Sequence, residues 1–262
     1  MILDRFSLAG KVALVTGCGR GIGKGIALGF AEAGADLICV DMTAGHVEAT
    51  VAAVQALGRR ALGLGCDVRE GEQVERMVSQ ARQEFGRIDI LVNNVGGTVF
   101  KPALKTSQLA WEAVLRQNLT ATFLCSKAVA PVMLEQKSGA IVNISTRDSK
   151  IPCPGMLGYG AAKAGVNSLT LTLAWELAPY IRVNAILPGA VWTEGSGPVL
   201  GAVKERIEAA TPLKRLGKPE DIALAAIYLA SSASDWVTGR LFEIDGGIEF
   251  TPIVAADMGG GN

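Results

Sequence analysis

The sequence predicts an α/β fold, a doubly wound parallel sheet of seven strands with helices on both faces. Three observations predict it. Short β-branched runs alternate with longer helical patterns from one end of the chain to the other. Most of those runs are apolar on successive residues, as strands covered on both faces must be, so helices lie on both sides. No linker or shift in composition interrupts the alternation, which predicts a single domain over residues 1–262.

In chain order, the strand Val12–Thr16 leads into a helix over Ile22–Ala33, and the strand Asp36–Asp41 into a helix over Ala44–Leu57. The strand Ala61–Asp67 is followed by a helix over Glu70–Phe85, and Ile88–Asn93 by a long helical pattern over Ser107–Glu135. Ala140–Ser145 precedes the helix Gly158–Ala178. Arg182–Leu187 precedes Pro219–Ala230, whose proline suits the first helical turn, and Leu241–Asp245 closes the sheet. Two stretches are left irregular, Thr146–Leu157 and Pro188–Pro212. Compact domains rarely keep structureless segments that long without a use for them, so both are candidate substrate loops.

Composition excludes several classes of function. With 49% hydrophobic, 19% charged and 5% aromatic residues the chain can bury a core and is not disordered. Its 32 glycines follow no three-residue period and accompany only 10 prolines, which excludes collagen-like and low-complexity chains. The 25 basic residues balance 25 acidic ones, so no global field gathers nucleic acid or an anionic membrane, and a small-molecule partner is expected. No export signal or uninterrupted apolar span of membrane length is present. Cys18, Cys39, Cys66, Cys125 and Cys153 form no Cys-x-x-Cys pair and read as reduced, packing thiols of a cytoplasmic protein. The single histidine, His46, sits in a polar segment beginning a helix and reads as solvated. A Ser-His-Asp triad and a metal site are therefore not expected.

Thr16-Gly17-Cys18-Gly19-Arg20-Gly21-Ile22-Gly23 joins the first strand to the first helix. Glycines there let the backbone turn tightly and approach an anion, while the free N–H groups and positive end of the helix favour a pyrophosphate. Asp41 closes the second strand at roughly the 20-residue offset of a ribose-binding carboxylate. It would accept hydrogen bonds from the 2′- and 3′-hydroxyls and repel a 2′-phosphate, so NAD is preferred over NADP. Met42 and Thr43 add no compensating positive charge; Arg20 is the cation that argues the other way. In Cys66-Asp67-Val68 the carboxylate is placed to touch the adenine edge, to cap the following helix or turn, or to do both.

Tyr159 and Lys163 stand four residues apart at the start of a helix and share one face of it. A phenol is a poor base at neutral pH, but a neighbouring cation favours the phenolate and makes it a usable acid or base. Ser145 ends an apolar strand, and in open parallel sheets ligands gather beyond the carboxyl ends of the strands. Asn118, inside the long helical pattern, either bonds to backbone or a water or faces solvent.

Together these motifs resemble the classical short-chain dehydrogenase/reductase family from about Lys11 to Gly247. The resemblance is carried by Thr-Gly-x-x-x-Gly-x-Gly at 16–23, Asn93-Asn94-Val95-Gly96, Asn118, Ser145, Tyr159-x-x-x-Lys163, Pro188-Gly189 and Asp245-Gly246-Gly247. Val95 stands where the family usually has alanine. What it implies is a Rossmann-type fold, a nicotinamide cofactor, and a catalytic tetrad of Asn118, Ser145, Tyr159 and Lys163. Tyr159 would exchange a proton with a secondary alcohol or ketone, Ser145 would hold the reacting oxygen, Lys163 would bind the nicotinamide ribose, and Asn118 would fix a water leading to solvent. Cofactor contacts would come from Gly17, Gly19, Arg20, Gly21, Ile22, Gly23, Asp41, Cys66, Asp67, Val68, Asn94, Val95 and Gly96, with Pro188, Gly189, Val191 and Thr193 at the nicotinamide end. Family members of this kind act on hydroxysteroids, sugars, cyclic alcohols or 3-oxoacyl thioesters, and a homotetramer is expected. A catalytically silent nucleotide sensor of the same fold would have no reason to keep all four reactive side chains. Arg147 and Asp148 would meet a polar substrate or pair with each other; Met156 and Trp192, with Glu194 and Val199 nearby, would pack on a substrate ring or serve a lid.

Overall fold

A computed structural model describes residues 1–249, the side chains of Pro198 and Val199 apart. Residues 250–262 of the expected single domain, and the pocket contact expected of Val199, lie outside the described residues.

The described residues form one seven-stranded sheet, all parallel: β1 Val12–Thr16, β2 Asp36–Asp41, β3 Ala61–Gly65, β4 Ile90–Asn93, β5 Gly139–Ile144, β6 Ile181–Pro188 and β7 Leu241–Ile244. Their spatial order is β3-β2-β1-β4-β5-β6-β7, with the first half wound one way from β1 and the second half the other. The helices are α1 Gly21–Glu32, α2 Glu48–Ala56, α3 Gly71–Phe85, α4 Gln108–Leu115, α5 Ala121–Gln136, α6 Leu157–Glu176, α7 Gly197–Leu200, α8 Lys204–Ala210 and α9 Pro219–Ala230.

Strand pleating explains why the runs are apolar on every residue. In β1, Ala13 and Val15 join one core with Ile26 and Phe30 of α1 and Ile222 and Leu229 of α9. Val12 and Leu14 join the opposite core with Met77 and Ala81 of α3 and Val129 and Met133 of α5. Each large side chain fully buried this way contributes about 1.5–3 kcal/mol. Both clusters are apolar, which leaves the polar chemistry to the strand ends.

Four expectations are corrected. The strand expected over Ala61–Asp67 stops at Gly65, because Cys66 and Asp67 turn away into the crevice. The helix expected over Ala44–Leu57 opens as a separate 3-10 turn, Ala44–His46. The pattern over Ser107–Glu135 is two helices joined by a π turn at Arg116–Thr120. The supposedly irregular Pro188–Pro212 holds α7 and α8, and Leu200, Ile207 and Val203 of the 3-10 turn between them form a small core with Leu216.

Candidate active site

Two cavities meet along the carboxyl edge of the sheet. One, of about 610 Å³, spans the glycine turn and the ends of β2 and β3. The other, of about 560 Å³, spans the ends of β5 and β6, and both are lined by Arg20, Ile22, Asn94, Gly96, Thr193 and Gly195. They form a single cleft of the size that takes a dinucleotide and a small substrate.

The glycine turn is built by two constraints. Gly17 has φ +64°, open to glycine at no cost. Gly23 lies so close beneath it that a methyl there would stand 2.2 Å from the Gly17 carbonyl oxygen. Asn94 locks the turn, its side-chain amide donating to the carbonyls of Thr16 and Gly17, both at 3.0 Å. Gly17, Gly19, Arg20, Gly21 and Ile22 line the first cavity, as expected, with Asp41, Cys66, Asp67, Val68, Val95 and Gly96. Gly23 lies behind the lining and shapes it. The cradle fits a dinucleotide, since the turn keeps its backbone bare where Cβ atoms would fill it.

Asp41 reaches into this cavity with its carboxylate accepting from the N–H of Gly19 at 3.2 Å and of Met42 at 2.8 Å. His46, expected to be solvated, is exposed but comes within 3.3 Å of Asp41 through Nδ1. The 3-10 turn folds it back, which a helical reading of that segment hid. Asp67 is claimed by Arg69, with bonds of 2.8 and 2.7 Å, and also accepts the Arg69 N–H at 3.0 Å. The turn-capping reading is realised while Asp67 still lines the cavity, and the bond from Arg69 holds the carboxyl below its usual range. Met42, His46, Arg69 and Gln117 are cavity residues that the motifs did not reveal.

Ser145, Tyr159 and Lys163 converge on the second cavity. Ser145 is buried at the end of β5, its hydroxyl donating to the Lys163 carbonyl at 3.2 Å. Tyr159 and Lys163 lie in the first turns of α6, with Nζ 5.9 Å from the phenol ring centre. Nζ donates to the Ile144 carbonyl at 2.8 Å. Burial pulls the Lys163 amine down to about 8, while burial first and Asp148 second push the Tyr159 phenol up, a hydrogen bond with Thr146 working the other way. The expected lowering of the phenol by the lysine is therefore outweighed here by desolvation.

Asn118 lies at the centre of the π turn and is fully buried, which removes its solvent-facing reading. Its amide donates to the carbonyls of Val114 and Gly97, both at 2.8 Å, and its oxygen accepts from the Gly97 N–H at 3.1 Å. The wide turn is what frees such a residue from the helix ladder. Gly96 separates it from the lysine: a methyl there would stand 2.8 Å from the Asn118 oxygen and 3.1 Å from Lys163 Nζ.

Pro188, Gly189, Val191 and Thr193 line the second cavity as expected, with Phe100, Ile151, Met156, Leu200, Ile207 and Ile248 giving it an apolar side. Trp192 is not among the residues lining it; its ring faces Gly197 and Lys204, so it serves the α7–α8 lid. Arg147 pairs with Asp245, not with Asp148 as expected. Among the described residues no cluster of His, Cys, Asp and Glu could hold a metal, and no helix is long and apolar enough to cross a membrane.

Residues 17–249 match the enoyl-(acyl carrier protein) reductase family model. The chain is 41% identical over 253 residues to an uncharacterized oxidoreductase of Mycobacterium tuberculosis, covering 95% of this chain and 96% of that one. It is 38% identical over 242 residues to the 3-oxoacyl-(acyl-carrier-protein) reductase of Thermotoga maritima, covering 92% and 98%. A solved 7α-hydroxysteroid dehydrogenase in complex with NADH and 7-oxo glycochenodeoxycholic acid is 34% identical, with a TM-score of 0.91 over 95% of this chain and 99% of the other.

Proposed function

The chain belongs to the classical short-chain dehydrogenase/reductase family and is an oxidoreductase that interconverts a secondary alcohol and a ketone with a nicotinamide cofactor; from that premise we propose that it uses NAD, with Tyr159 as acid/base, on a cyclic secondary alcohol or ketone. The observation that carries this reading is the convergence of Ser145, Tyr159 and Lys163 on a cavity continuous with the glycine cradle.

The bound nicotinamide supplies hydride transfer at its C4. The chain's own residues do the rest. Tyr159 takes the alcohol proton or returns it to the ketone oxygen, Ser145 swings its hydroxyl from the Lys163 carbonyl to donate to that oxygen, and Lys163 would hold the ribose hydroxyls. Burial pulls the Lys163 amine down to about 8, close enough to neutral for it to exchange its proton readily. Asn118 faces Lys163 across Gly96, and its carbonyl oxygen has a lone pair free to accept from a water that would connect Lys163 to solvent.

Support for NAD is the Asp41 carboxylate at the adenosine end, which would repel a 2′-phosphate. Arg20, the contrary cation, lines both cavities where they join, its guanidinium carbon 3.8 Å from where a methyl on Gly195 would stand. Arg69 is committed to Asp67. Support for a ring-bearing substrate is the apolar side of the cavity, and the hydroxysteroid dehydrogenase neighbour acts on such a molecule. The 3-oxoacyl-(acyl-carrier-protein) reductase relative keeps a thioester substrate as the second reading. We further assign the protein to the cytoplasm, in keeping with free thiols at all five cysteines, and to a homotetramer, in keeping with apolar side chains exposed on α5 and α6.

The test follows absorbance of reduced nicotinamide with both cofactors and a panel of cyclic ketones, sugars and 3-oxoacyl thioesters, beside Tyr159→Phe. Turnover of a cyclic substrate that falls about 10²–10⁴-fold in the variant is expected. A loss of only a few-fold removes Tyr159 from its role, and turnover confined to thioesters replaces the substrate reading.

A further inference from the structure

Asp245, Gly246 and Gly247 follow β7 directly, beyond its carboxyl end. At the carboxyl edge of the sheet β5 and β7 are not neighbours, because β6 lies between them. Strands are spaced about 4.8 Å apart, so a link between the ends of β5 and β7 must cross roughly 10 Å over the end of β6. One buried side-chain pair makes that crossing. Arg147, two residues beyond Ser145, brings Nε to 3.1 Å from Oδ2 of Asp245, the residue after β7, and the two side chains are only 8% and 10% exposed.

What lies between them is the nicotinamide end of the cleft. β6 ends at Pro188, and the Gly189 N–H donates to the Ile244 carbonyl at 3.1 Å. Gly189 packs against Asp245 so closely that a methyl on it would stand 2.8 Å from the Asp245 Cα. Asp245 is itself held by its own turn, Oδ1 accepting the Gly247 N–H at 2.9 Å, which leaves Oδ2 for the arginine. The same turn reaches the lid, the Leu213 N–H donating to the Gly246 carbonyl at 3.2 Å.

We propose that the Arg147–Asp245 pair is a strap across the end of β6 that positions the Ser145 loop against the Gly189 turn, and so sets the separation between the hydroxyl that grips the reacting oxygen and the turn that seats the nicotinamide. The inference rests on the roles given above to Ser145 and Gly189. Anchoring an acidic substrate is a poorer account of Arg147, because Asp245 already neutralises the guanidinium and the remaining Nη1 is buried with no hydrogen-bond partner among the described residues. Stability is a poorer account too. Apolar residues of similar volume commonly replace a buried ion pair at no loss, and the unpartnered donor makes this pair worse than most. A long planar cation is what the span requires, and lysine offers neither the fork nor the same reach. Both residues are positioning residues, acting through Ser145 and Gly189.

The test compares Arg147→Met, Arg147→Lys, Asp245→Asn and the paired Arg147→Met/Asp245→Leu with the wild type. Amide hydrogen exchange in the cofactor-free protein is read over residues 146–150, 188–193 and 244–247, and kcat, KM and the NADH dissociation constant are measured alongside. Breaking either end is expected to speed exchange in all three segments. It should lower kcat between about tenfold and a hundredfold while KM and NADH affinity stay within about threefold, with Arg147→Lys recovering part of the loss. The paired variant, checked by its circular dichroism, is expected to keep the fold whether or not the single ones do, and its kcat is expected to stay low. Wild-type kcat in that paired variant, or exchange that changes only in the segment carrying the substitution, overturns the strap. A wild-type enzyme inactive on every cyclic substrate counts against the substrate reading alone, because the exchange measurement decides the strap by itself.

Discussion

Lys163 is a cation held in a buried place by its work, and the cost has a definite sign. The free amine titrates at 10.5 and the buried one at about 8. Below about 8 both the folded and unfolded chains carry the proton and the burial penalty is complete. Between the two values the unfolded chain binds more protons than the folded one, so stability rises with pH in that window. Chemical denaturation of cofactor-free wild type and Lys163→Met at pH 7 and pH 10.5 is expected to show the wild type gaining on the variant by up to about 3 kcal/mol; parallel stabilities would refute the buried charge. Asp41 gives a second residue-scale prediction. Removing its carboxylate in Asp41→Ala should cut the NAD-over-NADP preference about tenfold or more, as loss of a close like-charge repulsion implies. An unchanged ratio of kcat/KM values takes Asp41 out of cofactor choice. Both residues were legible, Lys163 from its spacing to Tyr159 and Asp41 from its distance past the glycines. The dominance of desolvation over the lysine at Tyr159 was not, since burial is a property of the packed fold. Nor was the partner of Arg147, because a pairing across β6 leaves no trace in local spacing.

Among the elements, the turn from β1 to α1 carries the tightest constraint on the cofactor site. A methyl at Gly23 would meet the backbone oxygen of Gly17 at 2.2 Å, and backbone cannot rotate aside as a side chain can. In Gly23→Ala the first turn of α1 must therefore move away from β1, carrying with it the N–H groups of Gly21 and Ile22. NADH affinity, read by fluorescence titration, should fall by about a hundredfold or more, the loss expected when two or more charge-assisted bonds are misplaced. The same variant should unfold at a lower temperature. Binding within a few-fold of wild type would show that the helix start does not hold the pyrophosphate. Strands and the main helices were readable because period and apolar runs survive in the sequence. The π turn at Arg116–Thr120 was not, as one extra residue in a helix leaves the apolar pattern nearly intact while turning Asn118 inward. Helices α7 and α8 were missed because their small core is shared with Leu216, beyond the segment itself.

For the whole molecule, exposed large apolar side chains are spread widely among the described residues, and two consecutive helices, α5 and α6, carry four of them. Leu171 and Trp175 stand one helical turn apart on α6 at 42% and 87% exposure, and Phe123 and Leu134 stand out from α5 at 45% and 40%. An isolated exposed leucine needs no explanation, but an almost fully exposed tryptophan one turn from an exposed leucine on α6 does. A tryptophan covers about 150–250 Å² when buried, a sizeable part of the roughly 800 Å² per partner in a stable interface. Helix against helix, this flank on one subunit can meet the same flank on another about a two-fold axis, and a second such contact elsewhere closes a tetramer. Sedimentation of the wild type is therefore expected at a multiple of the 27.2 kDa chain mass. Trp175→Glu, which puts a charge at the centre of the patch, should shift the distribution to smaller species while leaving the circular dichroism of the subunit unchanged. A wild type that sediments as the single chain, or a variant that keeps the full assembly, would mean that these helices face water in the working enzyme.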